Sequence, residues 1–320
     1  MSDFSSSEHP GAPARGNFWF RSGVGLIGLV LFYFLFIHAA YPTGLKTVAN
    51  WCWHAWNGDN DMLHGRAIPI AFGIMAYLGW KKARYEIVRP ASWGLILLFF
   101  GISLYVLSSR TLQPRLALFG LPFVILGGLL FVFGTRVTRH FVFPAFFWYF
   151  AIPVPGIVQA TTLLQVIVTK LCYQAGTLCG MSLMLDGNTI SSVGENAWQF
   201  DIAEGCSGVR SLMALAMIAA IYANYTQKPL WKKAFLFACS LPLALIGNFG
   251  RIFTILLLAH FGFEDFAGQT YHDWAGMLIF FPIALSGLFV VDRVLNPGPR
   301  KTLRRATQTR TRTLSDSPSS

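Results

Sequence analysis

Apolar residues run along this chain in long blocks separated by short polar loops. The blocks show neither the alternation of a half-buried strand nor the single stripe of a surface helix. They are apolar all round, and several approach the ~20 residues that a helix needs to cross a bilayer. Blocks 22–41, 66–80, 91–107, 116–133, 141–152, 207–223, 234–260 and 273–291 predict eight transmembrane helices. Pro153-Val154-Pro155-Gly156 stops the fifth, because proline cannot continue a helix. Residues 157–180 are apolar on average but carry Gln159, Gln165, Lys170 and Gln174, which predicts an amphipathic helix lying in the membrane interface. Segment 185–203 alternates around the turn signal Asp186-Gly187-Asn188 and predicts a small extracytoplasmic β-like segment. The expected class is an all-α polytopic membrane protein with one membrane domain, 18–292. A Ser-, Pro- and Gly-rich N-terminal tail, 1–17, and a basic C-terminal tail, 293–320, are expected to be disordered.

Composition agrees. The chain is 54% hydrophobic and only 12% charged, where a soluble globule has about a quarter of its residues charged. Its net charge of +11 raises nucleic acid as a partner, but no basic stripe is interleaved with aromatic platforms, so no nucleic-acid partner is expected. The Lys and Arg residues gather instead in short loops such as Lys81–Arg89, Arg136–Arg139 and Lys228–Lys233. With both termini cytoplasmic and eight crossings, 18 of the 25 basic residues fall on the cytoplasmic side. A ninth crossing through 157–180 would move some of these loops to the wrong side. The first block is long and lacks a small-residue cleavage site, so it is expected to remain as an anchor.

Five cysteines (Cys52, Cys172, Cys179, Cys206 and Cys239) form no CxxC and no zinc-type Cys/His spacing, and neither a metal nor a cofactor is expected. The candidate chemistry lies between 201 and 276. Cys206 stands in Glu204-Gly205-Cys206-Ser207-Gly208-Val209-Arg210-Ser211, where a polar segment becomes an apolar helix. Arg251 lies in Gly247-Asn248-Phe249-Gly250-Arg251, and His272 in Tyr271-His272-Asp273-Trp274-Ala275-Gly276. A thiol, a permanent cation and an imidazole are the parts needed for acyl transfer. Arg251 is 17 residues beyond Ala234, ~26 Å along a helix, which places it near the outer boundary of a ~30 Å core. Cys206 and His272 fall at the same level in the eight-span arrangement.

Each residue also has a plainer reading. Arg251 could snorkel, or tie to Asn248 on the same helix face. Cys206 could be a small apolar filler, as Cys239 is taken to be, and Glu204 opposes a thiolate there. His64 and His260 compete with His272, and Asp273, adjacent in the helix, does not share its face.

The string Cys206-Ser207-Gly208-Val209-Arg210-Ser211, the pair Asn248…Arg251, and His272 followed by Gly276 resemble the exosortase/archaeosortase family of polytopic membrane cysteine transpeptidases. The likeness extends through Pro144…Pro153-Val154-Pro155 and His64-Gly65 with Pro69. It implies Cys206, Arg251 and His272 as catalytic residues, with Asn248, Ser207, Arg210 and Glu204 in support. It implies a bacterial inner-membrane enzyme whose active site faces the extracytoplasmic side. Its substrates would be exported proteins bearing a C-terminal signal: a short motif (Pro-Glu-Pro in the commonest type), a hydrophobic helix and a basic cluster. The acceptor would be a membrane lipid or an envelope component. Two other readings use the same residues: a purely hydrolytic membrane cysteine protease, and a non-enzymatic transporter or scaffold subunit of an envelope-polymer export system.

Overall fold

The computed structural model describes residues 47–57, 62–153, 157–193, 197–202 and 209–297, with scattered positions between 20 and 38. Both terminal tails therefore lie wholly or largely outside the described residues, while the described positions of the expected first span are helical, ending in a π-helical stretch, Phe34–His38. The helices are α1 (Val48–Ala55), α2 (Ile68–Ala83), α3 (Gly94–Thr111), α4 (Pro114–Phe133), α5 (Val142–Phe147), α6 (Ile157–Leu178) and α7 (Val209–Thr226). After them, α8 (Leu230–Ala238) continues through Cys239 into α9 (Ser240–His260), and α10 (Phe281–Leu295) closes the bundle. Strands β1 (Leu183–Asp186), β2 (Thr189–Ser192) and β3 (Gln199–Asp201) stand between α6 and α7.

Among the described residues, four helices are long and apolar enough to cross a membrane: Gly94–Thr111, Pro114–Phe133, Leu230–His260 and Leu278–Leu295. They correspond to the expected third, fourth, seventh and eighth spans. The expected second, fifth and sixth spans are shorter apolar helices than these four but close to their expected lengths. Helix α2 has sixteen residues, and the apolar part of α7 runs from Ser211 to Thr226. The expected fifth span is α5 plus a single 3-10 turn, Val142–Ala151, ~15 Å of rise and so about half a hydrocarbon core.

Helix α6 departs furthest from expectation. It does not lie apart from the bundle as an interfacial helix would, but runs alongside α9 in the same direction. Leu164 and Val168 share a cleft with Leu241 and Leu245. Two turns on, the Cys172 thiol donates to the Phe249 carbonyl at 3.8 Å. The polar residues that suggest an interfacial face are partly inside. Gln165 is buried, and its carbonyl accepts from the hydroxyl of Thr169, which is fully buried. Polar residues on a membrane helix face protein when protein offers them partners, which is why polarity alone does not mark a wet face.

Glycine decides how closely α3 and α4 pack. Gly94 and Gly101 on α3 and Gly120 and Gly127 on α4 sit seven residues apart on facing helices. A Cβ on Gly101 would come within 2.8 Å of the Gly120 carbonyl, and one on Gly127 within 2.5 Å of the Leu98 nitrogen. Small residues let two backbones touch where lipid offers no hydrophobic drive for association. Elsewhere Gly65 makes room for Trp56, whose ring would lie 2.3 Å from any Cβ there. The Trp56 indole N–H donates to the Ala151 carbonyl at 2.8 Å, fastening the residues before α2 to the end of the α5 segment.

The sheet is an antiparallel meander in the order β1-β2-β3, with Asp186 opposite Thr189 across Gly187-Asn188. Gly187 has φ +60°, which the tight turn needs and glycine adopts without strain. Ile190, Trp198 and Ile202 pack on Ile252, Leu256 and Ala259 of α9. The sheet thus covers the last turns of α9, beginning just past Arg251. At the other end of the bundle, the buried carboxylate of Asp292 on α10 accepts from the Tyr222 hydroxyl and the Gln227 amide, both at 2.5 Å, and from Asn296 at 2.9 Å.

Gly101→Leu is expected to lower stability by about 1–3 kcal/mol or more, since the neighbouring backbone cannot give way. Gly73→Ala, where nothing lies within 4 Å, is expected to be neutral. Thermal unfolding of both variants in one detergent checks this; equal melting temperatures would remove the close-packed seam.

Candidate active site

Three helices meet below the sheet. Ser211 and Leu215 in the first turns of α7, Ala244, Gly247, Asn248 and Arg251 on α9, and Gly276, Phe280 and Phe281 at the start of the last membrane helix line one crevice. Its free volume is about 10 Å³, room for little more than a single water. A guanidinium can enter so tight a junction only because its neighbours are small. A Cβ on Gly276 would stand 3.0 Å from both Cζ and Nε of Arg251 and 3.1 Å from one terminal nitrogen. Gly247 and Gly250 do the same for the helix approach, facing the Phe280 carbonyl and the Phe280 ring. The Arg251 Nε is buried.

The segment carrying His272 is locked to α9 one turn beyond Arg251. The Tyr271 hydroxyl lies 3.0 Å from Thr254 Oγ1, and Thr254 in turn donates to the Arg251 carbonyl at 2.9 Å or the Gly250 carbonyl at 3.0 Å. His272 begins the helical turn His272–Ala275, between two π-helical stretches, Ala267–Tyr271 and Gly276–Phe280. Such stretches are uncommon and occur often at functional sites. They shift the helical phase on both sides of His272, and nothing in the sequence announces them.

Of the expected catalytic residues, the structure gives Arg251 in full and His272 by its place on the helix, four residues before Gly276. Cys206, Glu204 and Ser207 lie outside the described residues, and Arg210 is described only as part of α7. Asn248 is buried beside Arg251 and lines both clefts of α9. Thr254 and Tyr271 were not singled out from the sequence. Thr254 is three residues beyond Arg251 on the same face, a spacing that could have drawn attention to it.

The competing residues separate. Burial pushes the Cys52 thiol up to about 12, so it stays protonated. Cys172 is fully buried against α9. His260 is exposed at the end of α9, and His64 lies in the 3-10 turn Leu63–Ala67 just before α2.

A helical membrane protein in which a partly buried arginine on one span meets the first turns of two others defines the class. Over residues 56–290 the chain matches the model of one family, described as Transmembrane exosortase (Exosortase_EpsH), and it belongs to that family. It matches no curated protein and no solved structure.

Tyr271→Phe keeps the ring but removes one hydrogen bond, an expected loss of about 1 kcal/mol. In a domain of this size that lowers the melting temperature by about 2–4 °C. An unchanged melting temperature would mean that the Thr254 contact holds nothing in place.

Proposed function

We propose that this exosortase is a cysteine transpeptidase of the extracytoplasmic face, with Cys206 as nucleophile, Arg251 as oxyanion partner and His272 as proton carrier. The observation that carries this reading is the crevice in which the first turns of α7 meet Arg251 and Gly276. Cys206 is four residues past Ile202, which packs on Ile252 and Leu256, and three before Val209. At a maximum of about 3.6 Å per residue, the chain cannot carry it farther than ~14 Å from the first anchor or ~11 Å from the second. In support, Ile202 shares a buried cluster with Ile252, next to Arg251 in the chain, and Ser211, two residues past Val209, lines the crevice with Arg251.

The Cys206 thiolate attacks the scissile carbonyl, and the Arg251 guanidinium donates to the oxyanion that forms. The tetrahedral species collapses to a thioester as the C–N bond breaks, and His272 protonates the departing amine. Neutral His272 then takes a proton from the acceptor nucleophile, which attacks the thioester and releases Cys206. Acceptor and recognition motif are chosen by residues that do not take part in these steps. The substrate class is an exported protein with a motif, a hydrophobic helix and a basic end. Laid beside the last three spans, such a helix brings its motif to the rim that holds Arg251. The excess of Lys and Arg in the other loops supports a rim opposite the cytoplasm, and the membrane of this reading is a bacterial inner membrane.

Cys206→Ala is expected to abolish processing of a signal-bearing substrate while the protein still folds. Arg251→Lys is expected to cost at least about a hundredfold, because an ammonium does not reproduce a planar donor fork. Gly276→Ala, which presses on the guanidinium, is expected to lose activity with little loss of stability. Cleavage retained by Cys206→Ala would end the proposal. The mass of the new substrate C-terminus separates transfer from hydrolysis: a free carboxylate would make the enzyme a protease.

A further inference from the structure

A second cavity, of about 180 Å³, opens at the opposite end of the bundle from Arg251. It is lined by Leu78, Gly79 and Lys82 of α2, Arg139 and His140 before α5, Phe143 and Pro144 of α5, and Asn224 and Tyr225 in the last turn of α7. Tyr225 is fourteen residues beyond Ser211, ~21 Å along α7, so this cavity is separate from the candidate active site. Far larger than the roughly 10–15 Å³ that one water needs, it can admit a small polar group.

The polar walls are built. Lys82 places its ammonium 5.6 Å over the Tyr225 ring. Asn224 accepts from Lys233 at 2.9 Å, which brings a further cation to the edge. The carboxylate that meets the cavity's Arg139 and His140 is Glu86. Glu86 Oε1 takes Arg139 at 2.5 Å and His140 at 3.1 Å, and these two contacts hold its carboxyl below the usual range. Glu86 therefore orients Arg139, using one guanidinium nitrogen, and offsets one charge of the two that Lys82 and Arg139 supply. The carbonyl ends of α2 and α7 also point this way and disfavour an anion, an effect confined to the last turn and countered by Lys82 itself. The remaining walls, Leu78, Phe143 and Pro144, are apolar and continue into the membrane-facing part of the bundle.

We infer that this cavity binds a phosphate group, presented by the headgroup of an anionic phospholipid. Two cations above an apolar wall, at the end of a set of membrane helices, match a headgroup whose acyl chains lie along the helices. Basic pockets between membrane helices bind anionic headgroups in this way. The inference does not depend on the chemistry proposed for Cys206, because it concerns the other end of the bundle.

The test uses the full chain in nanodiscs of phosphatidylglycerol mixed with phosphatidylcholine, with lipid retained after extraction read by native mass spectrometry. The wild type is expected to retain phosphatidylglycerol over phosphatidylcholine. Lys82→Gln/Arg139→Gln is expected to retain roughly tenfold less or lower still. Lys81→Gln/Arg84→Gln removes the same charge from side chains stacked on Tyr77 and Tyr85 outside the cavity, and is expected to behave as wild type. If the double cavity variant fails to fold, each single substitution carries the same comparison. Millimolar inorganic phosphate that displaces the lipid from wild type alone would support the phosphate site and identify free phosphate as a second source. Equal retention in the cavity variants and wild type, or equal loss in the Lys81/Arg84 variant, would overturn the inference.

Discussion

A guanidinium set into an apolar helix bundle constrains everything packed around it. It cannot lose its charge, and burying it without polar company is expensive. Here the bundle closes on Arg251 by thinning the opposing helix to glycine: Gly276 sits where any side chain would touch the guanidinium. The Thr254–Tyr271 contact then fixes the next turn. Those two features set how far α9 can move relative to the last span, and with it where His272 is carried. The sheet, packed on Ile252 and Leu256, closes the same level from above.

The two ends of the bundle use charge differently. At the Arg251 end the guanidinium is flanked by small residues in one tight crevice. At the other end several cations surround an open cavity, with Glu86 and the Asp292 network tying loop to helix and helix to helix.

Much of this was legible in the residues. Uninterrupted hydrophobicity marked the four long spans, and Asp186-Gly187-Asn188 marked the hairpin, because turn chemistry is local. Arg251 stood out because a charge in an apolar run needs a reason. The extents of α2, the α5 segment and α7 also came close, 68–83 against 66–80, 142–151 against 141–152 and 209–226 against 207–223, but the 3-10 turn that ends the fifth and the support Trp56 gives before α2 were not legible. Nor was the burial of Gln165 and Thr169 on α6: the same residues read as a wet face until a partner helix is known. The π-helical stretches around His272 and the Tyr271–Thr254 contact are tertiary facts, set by how two spans meet.

The central claim is that Cys206, Arg251 and His272 share one junction, and intramolecular cross-linking tests it most directly. In a chain whose Cys52, Cys172, Cys179 and Cys239 are replaced by Ser, His272→Cys is paired with native Cys206 and treated with a short bifunctional thiol reagent. In the same background, Cys206→Ser with Thr254→Cys/Tyr271→Cys serves as the positive control, because the Tyr271 hydroxyl touches Thr254 Oγ1 at 3.0 Å and the two thiols are then parted by about the length of the lost ring, a gap that the reagent spans. The account predicts a 206–272 bridge, seen as a linked peptide pair, with the efficiency of the control. A bridged control beside two singly labelled cysteines at 206 and 272 would contradict it.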